Sequence, residues 1–153
     1  MAGGGPRRRF CLVLVKPSHY DDDGYVIRWW RAMIPSNSLA AVYGIAADCA
    51  TRRVLGPDVV IDIEVIDETN TRIDVPAILA RLRRHGDFGC IALVGVQSNQ
   101  YPRALDIARP FRIAGIPVAM GGFHVSGCLS MLDGRAIELD AVVGGVAALA
   151  FVQ

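Results

Sequence analysis

Two histidines, His19 and His124, each lie just after a stretch that reads as a β-strand, where an imidazole could ligate or hydrogen-bond a bound molecule. An ordinary surface histidine is the competing account of each. Asp21, Asp22 and Asp23 could attract a divalent cation, but three consecutive carboxylates cannot all face one ion and the spaced D-x-D-x-D-G pattern is missing. A solvated acidic turn explains them more simply. Ser98 has no evident base beside it and no G-x-S-x-G elbow around it, which argues against acyl transfer. Cys11, Cys49, Cys90 and Cys128 form no C-x-x-C pair, and the nearest two are 38 positions apart, so a zinc or iron–sulfur site is not expected. They read as free thiols of a protein in reducing cytosol. Gly121-Gly122 lets a backbone come close, either to a ligand or within a tight turn. After the first strand stands Pro17-Ser18-His19 in place of G-x-G-x-x-G or a Walker loop, which disfavours a nucleotide enzyme of either type.

The elements that must position these residues alternate between strand and helix. Arg9 to Lys16 is a short apolar run ended by Pro17, as in a strand covered on both faces. Tyr25 to Ile34, aromatic and aliphatic, suggests a short helix stopped by Pro35. Ser36, Asn37 and Ser38 can cap a helix from about Leu39 to Arg53, ended by Gly56-Pro57. Val59 to Ile66 is β-branched and partly alternates with acids, as a strand nearer a sheet edge does. Asp74 can cap the next helix, with Pro76 in its first turn, Ile78, Leu79 and Leu82 facing inward, and His85-Gly86 closing it. Cys90 to Val96 has no polar residue and reads as a central parallel strand. Tyr101 to Ala114 is an amphipathic helix that Pro110 should kink, Ile116 to Met120 a fourth strand, and Phe123 to Leu132 a loop or short helix. Ala141 to Gln153 is small and apolar, an atypical tail that could add a fifth strand.

Such alternation, with right-handed crossovers, gives an α/β fold: a flavodoxin-like, Rossmann-type three-layer sandwich with a parallel sheet of four or five strands in the order 2-1-3-4-5. Loops after the strands then converge on one sheet edge, the usual place for a ligand, although polar loops also serve solubility. At 153 residues, 52% hydrophobic and 20% charged, the chain suits one domain. We divide it into a flexible lead-in (1–8), a domain (9–140) and the tail (141–153). With a net charge of +1 and scattered basic residues it lacks the field that draws nucleic acid, and its apolar stretches are too short to span a membrane. The apolar run after Arg7-Arg8-Arg9 ends at Lys16-Pro17, too early for a signal peptide.

Three segments, VLVKPSHYDDDGYVIRWW (Val13 to Trp30), VGVQSNQYPR (Val94 to Arg103) and PVAMGGFHVSGC (Pro117 to Cys128), resemble the N-terminal cobalamin-binding region of a group of radical S-adenosylmethionine proteins. The likeness runs from about Arg9 to Asp140, and Gly121-Gly122-Phe123-His124 is its most specific part. It implies a cobalamin cofactor whose nucleotide tail is enclosed by the loops after the strands and admitted by the glycine pair. The implied contacts are Ser18, His19, Gln97, Ser98, Asn99, Gly121, Gly122, Phe123 and His124. In the family's Asp-x-His-x-x-Gly motif Pro17 replaces the Asp and Asp22 the Gly, so histidine ligation of cobalt is not expected. Ser98-Asn99-Gln100 stands where the family has Ser-x-Leu. The C-x-x-x-C-x-x-C triplet that holds the [4Fe–4S] cluster of the radical enzymes is absent from the sequence, so the resemblance implies a module that positions a corrinoid for a separate catalytic domain. A cofactor-free scaffold or interaction domain, and a flavodoxin-like binder of flavin or nucleotide, are the other two readings.

Overall fold

The computed structural model describes residues 8–29, 36–86 and 88–131, and the backbone of 147–148. Five strands, β1 (Arg8–Lys16), β2 (Val59–Asp67), β3 (Gly89–Leu93), β4 (Val118–Met120) and β5 (Ala147–Ala148), form one sheet ordered β2-β1-β3-β4-β5. Every neighbouring pair is parallel. Between them run α1 (Asn37–Thr51), α2 (Val75–Arg84), α3 (Tyr101–Ile113) and α4 (Phe123–Met131). This is the expected α/β sandwich. Most of the lead-in (1–7) and most of the tail lie outside the described residues. Arg8, assigned to the lead-in, is the first residue of β1 and pairs with Val59.

Alternation along β1 divides the sheet into two unequal faces. Val13 and Val15 point to one side and join Ile91, Leu93, Val118 and Met120 against Ile78 and Leu82 of α2, Ile107 and Phe111 of α3 and Val125 of α4. Leu14 points to the other, where it meets Leu39 of α1 and Val94, with Leu12, Val42, Ile63 and Ala92 partly buried around them. Helices therefore cover both faces.

Local chemistry starts two of the helices. The Ser36 hydroxyl accepts from the Leu39 amide (3.3 Å) and the Asp74 carboxylate from the Ala77 amide (3.0 Å), satisfying amide groups that the first turn leaves without a partner. α3 has no side-chain cap and continues through Pro110 to Ile113. Phe123–Met131, left open between loop and helix, is a helix.

Two expectations need correction. The helix assigned to Tyr25–Ile34 does not form in its described part. Tyr20 and Val26 make an antiparallel bridge, the Ile27 amide donates to the His19 carbonyl (3.0 Å), and the Trp29 amide donates to the Thr69 carbonyl (2.7 Å). Partners distant in sequence have taken the amides a helix would need; residues 30–35 lie outside the described set. The third strand is also shorter than the apolar run. Past Leu93 the Val94 amide still reaches the Val15 carbonyl, but Gly95 turns to φ +66° and the Val96 amide crosses to the Gly121 carbonyl.

Candidate functional site

The loops after β1, β2, β3 and β4 meet at the carboxyl edge of the sheet, and two clusters hold them there. The first centres on Glu68, directly after β2 and 1% exposed. Its carboxylate accepts from the Ser18 amide (3.1 Å), from Arg103 Nε, and from Arg103 Nη2 (2.5 Å). Arg103 lies in the first turn of α3, so this pair ties the loops after β1 and β2 to the helix after β3. Burial works against the Arg103 charge, but the Glu68 carboxylate and the Tyr20 hydroxyl outweigh it and hold the guanidinium above its ordinary pKa. The Arg103 guanidinium lies over the Tyr20 ring, 5.8 Å from its centroid, and the Tyr20 hydroxyl donates to Asp106 (2.7 Å); burial, then the Asp106 bond, raise its phenol.

The second cluster joins the loops after β3 and β4. His124, in the first turn of α4, has Nδ1 3.3 Å from the Ser98 hydroxyl and Nε2 3.6 Å from Cys128 Sγ. Its ring lies against Tyr101, centroids 4.2 Å apart. The His124 amide donates to the Val96 carbonyl (3.1 Å). Ser98, expected to have no base beside it, therefore does have one, because β3 and β4 are neighbours and their loops are adjacent. The G-x-S-x-G elbow is still absent.

Gly122 explains how closely the two loops approach. Its φ is +140°, and a Cβ there would lie 2.2 Å from the Val96 nitrogen and 2.6 Å from the Val96 oxygen. The chain's own backbone, rather than a ligand, demands this glycine.

Beside the glycine pair a groove of about 720 Å³ runs between α1 and the β3–β4 half of the sheet. Small residues, Ala92, Gly95, Ala119 and Gly121, make up much of its floor beside Val94. Val42 and Ile45 of α1 form one wall, and Phe123 and Ser126 of α4 the other. Ile45 is 58% exposed and Phe123 80%, so large apolar groups line an open mouth. At the polar end, a Cβ on Gly95 would touch Ser38 and lie 3.8 Å from Lys16 Nζ. Burial lowers the Lys16 pKa, with Asp67 opposing. Among the described residues the Lys16 ammonium makes no hydrogen bond or ion pair, while its backbone carbonyl accepts from the Glu68 amide (3.0 Å).

The residues expected at the site thus divide. Gly121, Gly122 and Phe123 line the groove. Ser98 and His124 bond to each other next to it, and Gln97 and Asn99 are exposed in the same loop. Ser18 is 1% exposed and turned inward, its hydroxyl donating to the Ile27 carbonyl. His19 is partly exposed in the loop after β1. Sequence reasoning missed Glu68, Arg103, Lys16 and the α1 wall. An acid ending one strand and a base opening a helix 35 residues later is the one signal that could have suggested the buried pair.

No group of three or more His, Cys, Asp or Glu among the described residues is arranged to hold a metal ion. No described helix is long and apolar enough to cross a membrane. Comparison with protein-family models, curated proteins and solved structures finds no match to the chain.

Proposed function

We propose that this chain positions a corrinoid of the cobalamin class, taking the cofactor's nucleotide tail into the groove between α1 and the β3–β4 half of the sheet. The groove carries this reading. Its volume lies within the roughly 300–1,000 Å³ common for small-molecule sites, it sits at the carboxyl end of adjacent parallel strands, and its floor is small enough to let a flat ring lie on the sheet. Ala92, Gly95, Ala119 and Gly121 would support the tail, Ile45 and Phe123 would flank it, and the Lys16 ammonium would complement its phosphate. Gln97, Ser98, Asn99, His19 and His124 are then left to meet the macrocycle. A bound corrinoid supplies organometallic cobalt chemistry; the chain supplies its position. A radical S-adenosylmethionine domain is the partner the sequence resemblance suggests. The four free thiols suit a cytoplasmic setting.

The test is retention of cofactor after desalting, with hydroxocobalamin, cobinamide (a corrinoid without the nucleotide) and flavin mononucleotide offered separately. Near-stoichiometric retention of hydroxocobalamin and loss of cobinamide is the expected result. Equal retention of both corrinoids would move the site away from the groove. Retention of flavin alone would replace the corrinoid with a flavin, and retention of nothing would leave a scaffold.

A further inference from the structure

Cys128 is the one cysteine bonded to an imidazole among the described residues, and His124 is restrained on several sides. α4 places positions 124 and 128 one turn apart on the same face, Tyr101 packs on the ring, and Ser98 holds its other nitrogen. A hydroxyl oxygen is a good acceptor and a thiol sulfur a poor one. The favoured tautomer therefore carries its proton on Nδ1, donates to Ser98 and turns the Nε2 lone pair toward the Cys128 thiol. We propose that His124 acts as base to Cys128 and makes it the chain's site of exchange with low-molecular-weight disulfides, with Ser98 as the positioning residue.

The Cys128 proton passes to His124 Nε2 and the sulfur attacks one sulfur of the disulfide R–S–S–R. The Cys128 Sγ–S bond forms as the S–S bond breaks. The departing RS⁻ takes the proton back from the imidazolium, so a thiol and a disulfide yield a mixed disulfide and a free thiol with no other oxidant. The other cysteines lack this arrangement. Cys11 is buried in β1, and burial raises the thiol pKa of Cys90 and works against its thiolate. Cys49, partly exposed on α1, has no imidazole bond among the described residues and serves as the internal comparator.

The folded protein is incubated with oxidised glutathione at pH 7 and pH 10, quenched with acid and read cysteine by cysteine by mass spectrometry. At pH 7 Cys128 should form the mixed disulfide about tenfold or more faster than Cys49. His124→Gln should bring Cys128 down to the Cys49 rate at pH 7, yet match the parent at pH 10, where hydroxide removes the proton. If that variant fails to fold by circular dichroism, Ser98→Ala, at an exposed position, carries the same comparison with a roughly threefold fall at pH 7 and none at pH 10. A parent Cys128 no faster than Cys49, or a variant with the same loss at both pH values or no loss at pH 7, overturns the proposal.

Discussion

The Gly122 Cα and the backbone of Val96 are so close that no side chain fits between them: a Cβ would sit 2.2 Å from the Val96 nitrogen. Gly122→Val should cost about 3 kcal/mol or more through overlap and left-handed backbone strain. Gly127, inside α4 with open space where its Cβ would be, should respond oppositely. Gly127→Ala is expected to stabilise by about 0.5–1 kcal/mol. Urea unfolding of both variants checks the pair.

Removing Arg103 strands the buried Glu68 carboxylate. Arg103→Met should lose about 3 kcal/mol, because an uncompensated buried charge costs more than the pair contributes. Glu68→Leu combined with Arg103→Met should recover much of that loss. Denaturant midpoints of parent, single and double variants decide it, and a double variant as unstable as the sum of the two singles would contradict the account.

Filling the groove separates binding from folding. Ala119→Leu adds bulk on the α1 side of β4, over the groove floor. Retention of hydroxocobalamin should fall at least roughly tenfold, while the thermal melt moves little, because the site has room for the added carbons. On the proposed corrinoid reading, His19→Ala should leave the spectrum of bound hydroxocobalamin nearly unchanged, because Pro17 and Asp22 stand where the resembled family's motif has Asp and Gly. A large spectral change would mean that the imidazole does reach cobalt.

Stability should fall on the alkaline side. Burial raises the thiol of Cys90 above its ordinary value, and burial followed by the Asp106 bond does the same for the Tyr20 phenol. Each folded group holds its proton to higher pH than in the unfolded chain, so its contribution is complete below the unfolded pKa and is lost as pH rises through the folded one. For Cys90 that window opens near pH 9.0. Urea midpoints between pH 8 and pH 11 should decline, and Cys90→Ala should decline less steeply.

The fold was largely legible because its signals are local. An unbroken apolar run marked β1, and capping side chains at Ser36 and Asp74 marked the starts of α1 and α2. Where long-range partners decided, local reading failed: Tyr25 to Trp29 lost its expected helix to bonds with His19, Tyr20 and Thr69. The site followed the same rule. Glycines 121 and 122 could be read directly. Glu68 with Arg103, and Ser98 with His124, are 35 and 26 positions apart and meet only because of the strand order. The closeness of Gly122 to Val96 was likewise invisible, and it gives that glycine the task of joining two loops.

The sheet's faces carry very different loads. Among the described residues, eighteen buried side chains form the core cluster on the side of α2 and α3, and Leu14, Leu39 and Val94 form a smaller one on the side of α1. Among the described residues, most of the buried apolar core therefore lies on the side away from the groove. The larger core and the groove stand back to back, with one layer of backbone between them. Ala119 and Ile45, which line the groove, lie outside the cluster that holds Phe111 and Leu82, so they can change in size or shape without touching that core.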